Sequence, residues 1–345
     1  MIYFDSGATT LQKPPAVAEA FRYAMAHFAS PGRGGHAPAM AAADAVYACR
    51  EKAAALFDAQ PEQIVFTMNA THALNIAIRT LVRPGDRVVI SGFEHNAVTR
   101  PLHYLGAKTA VAGTRLFDPA GTLEAFSRLL TPETKAAICT HVSNVFGYIL
   151  PIEQIAALCR ARGVPLIVDA SQSAGILPVS LRGLGAAFIA MPGHKGLYGP
   201  QGTGMLVCGR MPEPLMQGGS GSQSALAEMP DFLPDASEAG THNVSGIHAL
   251  AAGLDFVQSL GLGTILHHEA QLRRLLARGL REIPGALCFT GGAQSGVVSF
   301  LYGAEDCEQT AQRLCESGIA VRAGLHCAPL AHRSAGTAQS GTVRV

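Results

Sequence analysis

The sequence predicts an α/β fold, with a mainly parallel, buried sheet in a large domain at residues 16–250 and a smaller α+β domain built from 1–15 and 251–345. Three observations carry this. Short β-branched runs alternate with helical patterns through the larger region, which is how βαβ units and a covered parallel sheet read. After residue 250 the pattern changes to long helices followed by short separate strands. At 345 residues the chain exceeds one ordinary compact domain and can bury one large core and one smaller one.

In order along the chain, "QIVFT" at 63–67 reads as a strand and "ATHALNIAIRTLV" at 70–82 as a helix. "DRVVISG" follows at the turn signal "RPGD", and "KAAICTHV" precedes the helical "LPIEQIAALCRARG". "VPLIVDA", "AAFIAMP" and "GTGMLVCG" complete the strands of this region. "HALAAGLDFVQSL" and "TILHHEAQLRRLLARGLREI" are helical, the second polar on one face and long enough to link domains. "GVVSFLYG", "DCEQTAQRLCESG", "IAVRAG" and "GTVRV" then give the strands and helix of the small domain. Residues 217–243 form a loop too long for a passive connection, and so are expected to serve function or an interface. "GTVRV" reads as a strand with no covering helix, which predicts a frayed end at Arg344 and a small domain shortened at its C-terminus.

A net charge of +1, from 26 basic and 25 acidic residues, offers no footprint for nucleic acid or an anionic membrane. "MIYFDSGATT" lacks the basic-then-apolar pattern of a leader, and no run of apolar residues is long enough to span a bilayer. The eight cysteines include no CxxC pair and no zinc-like spacing, which predicts free thiols, a cytoplasmic setting and no metal. Among the 13 histidines, His267 and His268 are adjacent on a helix and point apart, and there is no HExxH, so a metal-dependent hydrolase finds no support. A small-molecule enzyme fits best.

In open parallel sheets ligands bind beyond the carboxyl ends of the strands. There the sequence places Ala70 and Thr71 in a small-residue turn into a helix, His95 in "EHNAV", Asn144 in "THVSN", Asp169 and Gln172 in "VDASQS", and His194 and Lys195 in "GHKGLYGPQGTG". Taken singly each has a local alternative. Asp169 could cap a helix, His95 sit in a turn, Asn144 form an Asx turn and Thr71 cap its helix. Together they supply a phosphate cup, a carboxylate, a ring that can stack and a lysine in a tight loop. Those are the needs of a pyridoxal phosphate (PLP) site, whose aldehyde takes an amine. Glycines beside Lys195 let the backbone approach such a ligand closely.

"YFDSGATT", "PGRGGH", "FTMNATHALN", "EHNAV", "THVSNVFGYILPI", "VDASQS", "GHKGLYGPQGTG", "EAGTHN" and "RAGLHCAPL" occur in the order seen in class V aminotransferase-fold enzymes. The chain resembles the cysteine desulfurases of that family, from residue 3 to residue 344. The resemblance implies the PLP-dependent transferase fold type I, L-cysteine as substrate, a homodimer and a sulfur-acceptor protein. It implies Lys195 as the lysine that binds the cofactor aldehyde, Asp169 on the pyridine nitrogen and His95 stacked on the ring, with His95 also a proton donor. Gln172 would meet the ring hydroxyl, Thr71, Ala70 and His194 would hold phosphate, and Asn144 would lie against cofactor and substrate. Thr241 matches the position that reaches the phosphate of a neighbouring subunit. Arg344 matches the arginine that grips the substrate carboxylate, a task suited to a planar fork. Cys327, beside His326 and near Arg322, matches the thiolate that takes the sulfur.

Three residues depart from the family pattern. Pro192 stands where many relatives carry a hydroxyl residue, Gly196 is an extra glycine resembling a less characterised branch, and Ser6 replaces a usual asparagine. A selenocysteine lyase or another class V aminotransferase or lyase is the alternative within enzymes. A cofactor-binding protein without turnover is the alternative outside them, and Lys195, Asp169, His95 and Cys327 together argue against it.

Overall fold

The computed structural model describes residues 1–32 and 34–345, so that "PGRGGH" includes one position, Arg33, outside the described residues. In chain order the elements are β1 (Ile2–Tyr3), α1 (Pro15–His27), α2 (Ala37–Phe57), β2 (Ile64–Thr67), α3 (Ala70–Leu81), β3 (Arg87–Ser91) and α4 (Asn96–Tyr104). Then follow β4 (Lys108–Ala112), α5 (Pro119–Leu129), β5 (Thr134–Thr140), α6 (Ile152–Ala161), β6 (Leu166–Asp169), α7 (Leu181–Leu184), β7 (Phe188–Pro192) and β8 (Gly204–Cys208). The C-terminal part comprises α8 (Val244–Leu260), α9 (Leu262–Glu282), β9 (Ala286–Phe289), β10 (Ser299–Tyr302), α10 (Cys307–Glu316), β11 (Ile319–Ala320), β12 (Arg322–Gly324), α11 (Pro329–Ala335) and β13 (Thr342–Arg344).

Seven strands form the central sheet in the order β2-β8-β7-β6-β5-β3-β4. From β4 to β7 every pairing is parallel, and β8 runs antiparallel to both β7 and β2. β2, β6, β7 and β8 are buried at every residue, because helices cover both faces. One apolar layer gathers α2, α5, α6 and α8, with Phe57, Phe126, Ile155 and Leu250 in its core. The other gathers α3 and α4, with Leu74, Ile78, Val98 and Leu102.

β9, β10, β12 and β13 form a second, antiparallel sheet in the order β12-β13-β10-β9. The predicted fraying at "GTVRV" is corrected here. β13 lies between β12 and β10, and its three residues are buried, Arg344 to 3% exposure. Backbone pairing on both sides holds that residue in place.

Residues 217–243 carry only a short 3-10 turn at Asp235–Ser237. Glu238 anchors this loop to the sheet: its Oε1 accepts from Arg50 Nη1 at 2.7 Å and from the Phe66 N–H at 2.7 Å, and its Oε2 pairs with Arg50 Nη2. No single helix among the described residues is long and apolar enough to cross a membrane. α8 and α9 reach that length and composition only as a pair, with an 81° bend between them.

Candidate active site

Beyond the carboxyl edge of the parallel strands lies a cavity of about 280 Å³. Ala70, Thr71, His95, Asn144, Asp169, Gln172, His194, Lys195, Cys327 and Arg344, ten predicted residues from seven separate stretches of chain, all line it. Thr241 does not; it lies on the exposed part of the 217–243 loop, just before Asn243 caps α8.

One wall of the cavity is built by the entry to α3. Asn69 caps that helix, its side chain accepting from the His72 N–H at 2.9 Å, and the amides of Ala70 and Thr71 have no carbonyl a turn earlier to bond. Gly204, at the start of β8, passes so close that a Cβ there would stand 2.7 Å from Asn69 Cα. Opposite, His194 Nδ1 meets Thr9 Oγ1 at 3.1 Å, while Thr9 and Thr10 hydroxyls both donate to the His194 carbonyl. Burial, reinforced by Lys195 and Lys13, pushes His194 down to about 4, so its ring is neutral at ordinary pH.

Asp169 ends β6 and is 2% exposed, with Oδ1 accepting from the Ser171 N–H at 2.9 Å. Gln172 Nε2 donates to the Gly7 carbonyl at 2.8 Å. His95 caps α4, and its Nδ1 accepts from the Ala97 N–H at 3.0 Å, which places the proton of the neutral ring on Nε2. Burial lowers the pKa of His95 and Lys195 lowers it further, against the opposing pull of Asp169.

Lys195 is the third residue after β7, and two glycines let its loop settle against the turn after β6. A Cβ on Gly196 would run into the Ala174 carbonyl oxygen, and one on Gly175 (φ +85°) into the Gly196 carbonyl oxygen. The glycine that departs from the family pattern is thus fitted to its place. Burial brings the Lys195 amine down from 10.5 to about 8, partly offset by Asp169 and reinforced by Arg344 and Arg322. The amine is therefore about one-tenth neutral at pH 7, far more than an exposed lysine would be.

Elsewhere on the cavity wall, Arg344 donates from Nη1 to the Asn144 carbonyl at 3.1 Å and from Nη2 to Asp5 at 2.8 Å. Its buried Nε has no partner among the described residues, so the guanidinium fork retains donors for an anion. Cys327 is exposed on the four-residue connection from β12 to α11. Both His326 (φ +48°) and Cys327 (φ +55°) adopt left-handed backbone that residues with side chains rarely take. The bonds that hold this pair include Asn144 Nδ2 to the His326 carbonyl at 2.8 Å, the Asn96 N–H to the Cys327 carbonyl at 2.7 Å and His326 Nε2 to the Thr342 carbonyl at 3.1 Å. Asn144 thereby links the Arg344 guanidinium and the loop of Cys327.

Three residues went unassigned in the sequence. Asp5 and Gly7 stood inside a quoted motif without a role, although Asp5 binds two arginines and Gly7 closes over Arg344. Glu94, fully buried behind His95, accepts from the Thr140 N–H at 2.7 Å and from Ser91, and burial raises it to about 8. Its position in "EHNAV" just before a candidate residue was the available signal.

The donor set suits pyridoxal phosphate: free helix amides and a hydroxyl for phosphate, a buried carboxylate for a ring nitrogen, an imidazole and a lysine whose amine burial brings toward neutrality. The model of the family described as aminotransferase class-V matches residues 2–345. A probable cysteine desulfurase of Methanothermobacter thermautotrophicus is 33% identical over 359 aligned residues, covering 99% of this chain and 89% of the relative. A cysteine desulfurase of Klebsiella pneumoniae is 34% identical over 351, covering 95% of this chain and 84% of the relative. Among solved structures, the apo cysteine desulfurase of Thermococcus onnurineus superposes with a TM-score of 0.89 at 31% identity, covering 100% of this chain and 89% of that one.

Proposed function

The chain belongs to the class V aminotransferase family, and we propose that within it the protein is a PLP-dependent cysteine desulfurase, converting L-cysteine to L-alanine with transfer of sulfur to Cys327. The observation that carries this reading is that Lys195, Asp169, Arg344 and Cys327 line a single cavity. A lysine and a carboxylate would serve any PLP enzyme. A thiol on the wall of that cavity serves sulfur chemistry in particular.

When bound, pyridoxal phosphate supplies an aldehyde for an amine and a ring that withdraws electrons. Its phosphate would rest on the Ala70 and Thr71 amides, the Thr71 hydroxyl and His194, and Pro192 contributes no hydroxyl there. Asp169 would keep the ring nitrogen protonated, Gln172 would meet the ring hydroxyl and His95 would stack on its face. Lys195 holds the cofactor and, once released, takes the proton from the substrate α-carbon, a role its lowered pKa suits. Arg344 receives the substrate carboxylate, and Asn144 keeps both that arginine and the thiol loop in place. The Cys327 thiolate bonds to the substrate sulfur as the carbon–sulfur bond breaks. The bonding pair stays on carbon, which is protonated with His95 Nε2 as donor, and the Lys195 amine returns the proton to the α-carbon. In sum, L-cysteine and the Cys327 thiol become L-alanine and a Cys327 persulfide.

The finer organisation follows the same reading. Residues 16–250 act as the cofactor domain, with 1–15 and 251–345 as the smaller one. Thr241, exposed and away from its own cavity, reaches the phosphate of a second copy in a homodimer. A sulfur-acceptor protein takes the persulfide sulfur, and the setting is cytoplasmic. With L-cysteine and excess reducing thiol, PLP-loaded protein should release alanine and sulfide in equal amounts. Keto-acid formation instead would move the reaction to transamination.

A further inference from the structure

Asp5 stands between two arginines of the cavity. Its Oδ1 accepts from Arg344 Nη2 at 2.8 Å, and its Oδ2 from Arg322 Nη2 at 2.8 Å and Arg322 Nε at 3.0 Å. Arg344 is almost fully buried, whereas half of the Arg322 side chain is exposed, and both line the cavity. Two guanidinium groups facing one carboxylate leave one positive charge uncompensated. It lies where burial already works against charge, since burial lowers the Arg344 pKa and Asp5 is the main group opposing that. Gly7, two residues on, leaves room for the fork: a Cβ there would stand 3.3 Å from Arg344 Cζ and Nε.

We infer that Asp5 sets the charge that the carboxylate end of the substrate must carry: it cancels one of the two cavity arginines it binds, so this cluster is neutralised by an amino acid with a single carboxylate and no second anionic group. This rests on the assignment of Arg344 to the substrate carboxylate. A side chain bearing its own carboxylate would bring two negative charges to a site with one to spare, and would set one of them against Asp5. Asp5 acts through the arginines, as a positioning residue, and touches no reacting atom.

Calorimetric titration of the PLP-loaded protein with L-alanine and with L-aspartate tests this. Neither carries sulfur, so the binding ratio is read independently of the desulfurase reading, which stands or falls on alanine and sulfide release. Wild type should prefer L-alanine. Asp5→Asn keeps an oxygen for Arg344 Nη2 and should shift the ratio of the two dissociation constants about tenfold toward L-aspartate, a modest effect for one charge at a partly exposed site. Arg322→Gln should shift it the other way and weaken both ligands. The double variant, with the wild-type charge restored, should return near the wild-type ratio. A purely structural Asp5 would weaken both ligands alike. An unmoved ratio in Asp5→Asn, a double variant no closer to wild type than the single one, or a wild type binding neither ligand would overturn the inference. If Asp5→Asn does not fold, an unmoved ratio in the exposed Arg322→Gln does so alone.

Discussion

Gly204→Ala probes the phosphate side without touching a residue that meets the ligand. The added Cβ would stand 2.7 Å from both Asn69 Cα and the Asn69 carbonyl carbon, all backbone. That is about 0.8 Å short of the ~3.5 Å at which carbon atoms touch. β8 is hydrogen-bonded between β2 and β7, so the strand has little freedom to yield. The entry to α3 must give way, and it carries the amides of Ala70 and Thr71 with it. Overpacking of this kind costs about 1–3 kcal/mol, and a displacement near 1 Å costs on the order of 100-fold in turnover. PLP titration of the apo-protein by absorbance should show a dissociation constant at least tenfold weaker, with thermal unfolding several degrees lower. Gly279→Ala is the control: its Cβ meets nothing within 4 Å inside α9, and removing a helical glycine should stabilise by about 0.5–1 kcal/mol. A Gly204→Ala protein with wild-type cofactor affinity and unfolding temperature would refute the close approach as the element that shapes the cup.

Attachment of pyridoxal phosphate to the apo-protein should accelerate with pH and level off just above pH 8, because the Lys195 amine titrates at about 8; a plateau delayed to about 10.5 would contradict its burial. Between those values the unfolded chain binds the more protons at this group, so it makes the apo-protein more stable as pH rises across that window, measurable by urea unfolding. Glu238→Ala leaves Arg50 as a buried cation without its carboxylate and should cost about 3–5 kcal/mol in denaturant unfolding. It should also release the loop carrying Thr241, read as increased proteolysis at 217–243 with the central sheet intact.

His95, Asp169 and Lys195 were legible because each follows a buried apolar run, and parallel strands deliver the next residues to one edge of the sheet. The partner of Asp5 was not, since Arg322 and Arg344 lie more than 300 residues away and local patterns carry no such pairing. Position within a sheet is equally hidden. "GTVRV" reads as a last, loose strand, yet long-range order places it between β10 and β12, where Arg344 is fixed from both sides. α2 escaped notice for a different reason: its alanine-rich sequence puts small apolar residues all around the helix, which blurs the 3.6-residue period. The left-handed pair at His326 and Cys327 had no sequence marker either, because glycine, the usual sign of such backbone, is absent at both positions.

Sulfur transfer to Cys327 is tested most directly by mass spectrometry of PLP-loaded protein exposed briefly to L-cysteine, with alanine quantified in the same sample. One added sulfur on the peptide containing Cys327, matched by one alanine per chain and lost in Cys327→Ala while the cofactor stays bound, is the predicted result. Alanine formed at the same rate by Cys327→Ala, or the sulfur found on another cysteine, would contradict it.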